Sequence, residues 1–109
     1  MISTLPPKYD DPGNAVVTIR INGTFMPNTL VDLGESINAI IFYTMTLLQL
    51  NEIRPTHILL ELAGKSIVKS IGVLEDVVVI VSSWEYLIDF IVISPKTTKP
   101  RHPIVLGRP

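Results

Sequence analysis

Thr29-Leu30-Val31-Asp32-Leu33-Gly34-Glu35-Ser36 sets an apolar, strand-like run directly before a carboxylate, with a glycine two residues further on. Its counterpart near the other end is Ile104-Val105-Leu106-Gly107-Arg108-Pro109, where a second apolar run meets a glycine. A carboxylate that follows a buried strand sits on a tight turn at the edge of an apolar core, a place where chemistry is often found. Taken alone, Asp-x-Gly equally fits an ordinary strand-terminating turn, because Asp and Gly are common turn residues.

Outward from this stretch the punctuation is regular. Val17, Ile19 and Ile21 alternate with Thr18 and Arg20, the period-two pattern of a half-buried strand. Asn22-Gly23 is a hairpin turn, and it returns the chain through residues 24–31 to Asp32. Residues 38–50 fit a short helix better than a strand, although β-branched Ile40, Ile41 and Thr44 oppose it. Residues 56–62 read as a strand, Ala63-Gly64-Lys65 as a turn, and residues 66–81 as a long strand bent at Gly72. The continuous apolar run 77–81 predicts a strand covered on both faces. Ser82-Ser83 turns the chain into a strand over 84–93, with Trp84 packing the hairpin edge. Asp89 is expected to be a solvated or paired surface carboxylate. A proline-containing loop spans 94–103, and residues 104–106 form a last short strand. Pro6, Pro7, Pro12 and Gly13 mark residues 1–14 as a linker or arm, leaving 15–109 as the domain. The whole reads as an all-β, barrel-like domain with one or two short helices.

Composition narrows the function classes. The chain has 109 residues, of which 47% are apolar and 17% charged, enough for one packed core and unlike a disordered chain. The formal net charge is −1 and the basic residues are scattered, so no footprint for a phosphate backbone is present and direct nucleic-acid binding is not expected. No cysteine occurs, which removes disulfides, thiol nucleophiles and thiolate metal sites. His57 and His102 lie far apart without further ligands at metal spacing, so neither a metal nor a cofactor is expected. No apolar run approaches the ~20 residues that span a bilayer, and no leader pattern is present. Intracellular, cytoplasmic placement is therefore expected, with no membrane partner.

Four stretches, in order and at matching spacing, give the chain its resemblance to a known family. They are Leu30-Val31-Asp32-Leu33-Gly34-Glu35-Ser36-Ile37-Asn38, Leu60-Glu61-Leu62-Ala63-Gly64-Lys65-Ser66-Ile67, Ile71-Gly72-Val73-Leu74-Glu75-Asp76-Val77 and Ile104-Val105-Leu106-Gly107-Arg108-Pro109. Together they make residues 14–109 resemble the retropepsin-like aspartic proteases, most closely those of gag-pol polyproteins in gypsy-class LTR retrotransposons of plants. The resemblance implies a small closed β-barrel, a psi-like loop carrying Asp32, and an active homodimer that cleaves extended peptide or polyprotein substrates, within retroelement particles where active. Asp32 is the catalytic residue it implies. Leu33, Gly34, Glu35 and Ser36 form the active-site loop, with Gly34 permitting strained dihedrals, and Ala63, Gly64 and Lys65 form the flap that closes over a bound peptide.

Two departures from the family pattern bear on activity. Ser or Thr usually follows the Asp and braces the two loops across the dimer, whereas Leu33 carries no hydroxyl. The position after Gly34 is usually Ala or Ser, whereas Glu35 crowds the cleft and adds negative charge beside the carboxylate pair, which predicts weakened activity or a shifted pH optimum. Family members also continue past the closing motif, so a C-terminally truncated domain is expected. The alternative to an aspartic endopeptidase is a catalytically impaired retropepsin-like module for dimerisation or peptide binding.

Overall fold

The computed structural model describes residues 14–56, 59–62, 66–94 and 102–108. The linker assigned to 1–14 thus lies outside the described residues except for Asn14, as do the flap turn Ala63-Gly64-Lys65 and His57. Strand β1 (Asn14–Ile21) and strand β2 (Thr24–Asp32) form the expected hairpin. Asn22 and Gly23 take φ of 51° and 81°, the positive pair that a two-residue turn between right-twisted strands requires. Next come β3 (Ala39–Ile41), α1 (Phe42–Leu47), β4 (Arg54–Pro55) and β5 (Leu59–Leu62). The long β6 (Ser66–Val81), β7 (Trp84–Ile93) and β8 (Ile104–Leu106) complete the order.

Following the hydrogen-bonded neighbours gives β1-β2-β8-β3-β7-β6, and β6 pairs back onto β1, so six strands close into a barrel. Ile19, Ile21, Ile40, Leu74, Val79, Phe90, Val92 and Ile104 fill it. Closure removes the unpaired edges an open sheet would expose. β8 lies between β2 and β3, parallel to the first and antiparallel to the second. That arrangement is the psi-like loop: the chain leaves β2 at Asp32, returns as β3, and the closing strand threads between the two.

One irregularity in β2 decides which way Asp32 faces. Between the pairs Val17↔Thr29 and Ile19↔Met26, β2 uses one residue more than β1. Pro27 offers no N–H to the ladder, and Asn28 takes φ of 61°, so the extra residue is a β-bulge. Met26 and buried Thr29 both face the interior, and the alternation beyond them carries Val31 inward and Leu30 and Asp32 outward. Without the bulge the parity of Met26 would send Leu30 and Asp32 into the core.

Three sequence expectations are corrected. The helix expected over 38–50 is confined to Phe42–Leu47, because Ala39–Ile41 is a central strand buried on both faces between β7 and β8. A run buried all round carries no period, and its β-branched residues favour the strand. Residues 77–81 are not covered on both faces: Val77 and Val79 are buried, yet Val78 is 45% exposed. Trp84 is 69% exposed rather than packed. Of the strand expected over 56–62, Leu59–Leu62 is present as β5, and residues 57–58 lie outside the described residues. The bend at Gly72 is present as a register shift in β6, and an added Cβ there would strike Ile53.

Asn28→Val should destabilise the fold by about 1–2 kcal/mol, the cost of holding a Cβ-branched residue left-handed. Asn28→Gly should stay near the parent. Urea unfolding of the three proteins distinguishes the bulge from an ordinary strand position, for which valine would be neutral or favourable.

Candidate functional site

The chain leaves β2 at Asp32 through a tight turn over Leu33 and Gly34. The Gly34 N–H donates to Asp32 Oδ1 at 2.9 Å, and the Glu35 N–H donates to the Asp32 carbonyl at 3.1 Å. The first bond orients the carboxylate through Oδ1, and the second closes the turn. A Cβ at Gly34 would stand 3.3 Å from Asp32 Oδ1, a tight contact that the carboxylate would meet by shifting a few tenths of an ångström. The strained dihedrals expected of Gly34 are not found: among the described glycines only Gly23 has positive φ.

The loop is held from beneath by the residues after β8. Gly107 N–H donates to Asn38 Oδ1 at 2.9 Å, and Arg108 N–H donates to the Glu35 carbonyl at 2.8 Å. Asn38 also donates from Nδ2 to the Asp89 carbonyl at 3.3 Å, and its own carbonyl accepts from the Ile91 N–H at 2.8 Å. One side chain thereby ties the Asp32 loop to both β7 and the segment after β8. Gly107 is required sterically, since a Cβ would collide with the Ile37 carbonyl and lie 2.9 Å from the Glu35 carbonyl.

Asp32 and Glu35 are half-buried and share a cavity of about 120 Å³. Leu30, Ile37, Ala39, Ile41, Ile93 and Val105 supply its apolar lining, and His102 adds an imidazole. His102 Nδ1 lies 3.0 Å from the Asn28 carbonyl, so that nitrogen carries the proton and the closing segment is tied to the bulge that turns Asp32 outward. Ser36 is exposed and Leu33 is 47% exposed beside Asp32. β5 and the start of β6 pair as a hairpin, Leu62 opposite Ser66, across the position assigned to the flap. Sequence reasoning missed Asn38 and His102 because neither stands in a motif by itself; the spacing of Asn38 from Asp32 becomes informative only once β8 is known to thread between β2 and β3.

Other singled-out carboxylates lie away from this cavity. Asp89 is exposed and paired, its Oδ1 accepting the Asp76 N–H at 2.9 Å. Asp76 has φ of 57° at a second register shift in β6, so Asp89 caps a bulge, a role for Asp76 that the sequence did not reveal. Glu75 pairs with Arg54 at 2.7 Å on the exposed surface, worth little to stability.

No protein-family model and no curated protein sequence matches the chain. Among solved structures it is similar to the retroviral protease-like domain of Ddi1 from Leishmania major, with a TM-score of 0.63 and 16% identity over 84% of this chain and 70% of that chain. The fold is therefore that of the retropepsin-like barrels, and the likeness is one of fold.

Asn38→Ala should cost about 1–3 kcal/mol, because it strands the half-buried Gly107 N–H. Gly107→Ala should cost a comparable ~1–3 kcal/mol by overpacking. Thermal unfolding of both variants, with a surface control such as Glu85→Ala, measures how firmly the closing segment braces the Asp32 loop.

Proposed function

We propose that the chain is one half of an aspartic endopeptidase, with Asp32 as the catalytic carboxylate and a second copy supplying its partner. The observation that carries this reading is the outward-facing, half-buried Asp32, oriented by the Gly34 N–H at 2.9 Å and set at an apolar cavity on the psi-like loop. Two features support a second copy at this edge. Leu33, 47% exposed, presents apolar surface next to Asp32. Asn14, the register partner of Asp32, has a buried Oδ1 with no hydrogen-bond partner among the described residues. A two-fold arrangement would set each Asp32 against its mate through the same patch on both copies.

The chemistry follows from that pairing. Two carboxylates within hydrogen-bond reach share one proton over a range of acid pH, as is general for aspartic proteases. The ionised carboxylate takes a proton from water, whose oxygen attacks the scissile carbonyl carbon while the protonated carboxyl gives its proton to the carbonyl oxygen. Collapse of the tetrahedral species breaks the carbon–nitrogen bond as the amine nitrogen takes up a proton. Substrate would lie extended, adding a strand between the cleft floor and the β5–β6 hairpin, whose turn carries the flap residues Ala63, Gly64 and Lys65. The motif resemblance supports a retroelement gag-pol polyprotein as the natural substrate.

Glu35 in the cavity and Leu33 in place of a bracing hydroxyl favour a second reading, a barrel that dimerises or binds peptides without cleaving them. A mixed peptide library incubated across acid to neutral pH separates the two. The protease reading expects cleavage at acid pH, blocked by a pepstatin-type inhibitor, reduced at least a hundredfold in Asp32→Asn, and rising per chain with protein concentration as half-sites pair. A folded dimer that binds peptides and leaves them intact at every pH would establish the second reading instead.

A further inference from the structure

Among the described residues, the cavity at Asp32 is lined by apolar walls, by the carboxylates Asp32 and Glu35, and by the imidazole of His102. Its volume of about 120 Å³ equals roughly four waters of bulk liquid at ~30 Å³ each, the room of one side chain. Glu35 enters it from a fixed backbone: its N–H is bonded to the Asp32 carbonyl at 3.1 Å and its carbonyl to the Arg108 N–H at 2.8 Å. Asp32 is committed through Oδ1 to the Gly34 N–H, and His102 through Nδ1 to the Asn28 carbonyl.

We infer that Glu35 makes this cleft select a basic residue, lysine or arginine, next to the scissile bond. The aliphatic stem would lie along Leu30, Ile37 and Val105, and the cationic end would reach the Glu35 carboxylate. Lysine and arginine are the side chains whose apolar stem and charged tip fit such a divided site. A charge-assisted bond to a half-buried carboxylate is stronger than a neutral one. A carboxylate offers about four lone-pair sites, so a ligand cation adds to the contacts Glu35 already makes within the chain. This inference rests on the peptide-cleft reading above and assigns its specificity.

The test uses two uncleavable peptides with a central hydroxyethylene isostere, identical except for lysine or norleucine flanking the isostere. Norleucine keeps the stem and removes the charge. Binding is measured by calorimetry at neutral pH to the parent, Glu35→Gln and Glu35→Asp proteins. The expected result is about tenfold tighter binding of the lysine ligand to the parent, retained in Glu35→Asp and lost in Glu35→Gln. On the unmodified parent, the preference should also shrink as salt rises from about 0.05 to 0.5 M, which tests the charge without depending on a variant that folds. Equal binding of the two ligands to the parent, or a lysine preference that survives Glu35→Gln, overturns the inference and leaves the protease reading standing. Binding of neither ligand overturns both.

Discussion

Side chains on a strand alternate with a period of two, so one inserted residue exchanges faces for everything beyond it. In β2 that residue sits at Pro27-Asn28, between a segment whose Met26 faces the barrel and one whose Asp32 faces away from it. The barrel needs Thr29 and Val31 inside, and the site needs Leu30 and Asp32 outside. A regular strand starting from the same hairpin would satisfy neither. The bulge carbonyl of Asn28 then accepts from His102, which ties the strain of a left-handed residue to the wall of the cavity. A single local irregularity is thus coupled both to the core and to the carboxylate.

Beyond the bulge, placement of Asp32 depends on a loop that has little local structure of its own. Residues 33–38 form neither helix nor ladder, so their backbone groups need partners from elsewhere. The Arg108 N–H reaches the Glu35 carbonyl and the Ile91 N–H reaches the Asn38 carbonyl, both from segments far away in sequence. The Asn38 side chain adds bonds to the Asp89 carbonyl and the Gly107 N–H. Each such bond contributes about 1 kcal/mol net, and together they fix the geometry of the Asp32 loop. The threading of β8 between β2 and β3 brings these partners into place, which gives Leu106-Gly107-Arg108 its meaning beside Asp32-Leu33-Gly34.

Much of this was legible in the sequence where local chemistry decides local structure. Asn22-Gly23 dictated a hairpin, Gly72 marked an irregular strand, and the alternation at Asp89 gave a surface carboxylate. The failures share a different cause. Ala39–Ile41 is buried on both faces, so it shows no period and reads as well for a helix as for a strand. The alternation of exposed Val78 with buried Val77 and Val79 is invisible in an unbroken run of apolar residues. The bulge at Asn28 has a weak signature, a proline and an asparagine inside a strand, and its effect on Asp32 emerges only from the pairing register. The bracing by Asn38 is a tertiary fact with no local signature at all.

Core and cleft are chemically separate in this barrel. The residues that fill the interior, from Ile19 to Leu106, include none of Asp32, Leu33, Gly34, Glu35 or Ser36. Hydrophobic burial therefore holds the fold together with no energetic stake in whether Asp32 reacts. Similarity at 16% identity therefore speaks to the architecture and not to the chemistry. Glu35 is where the two readings of this protein diverge physically. In the cavity beside Asp32 it takes volume and adds charge, costs for a cleft that binds neutral or acidic peptides. For a cleft that binds basic ones, the same carboxylate is the recognition element.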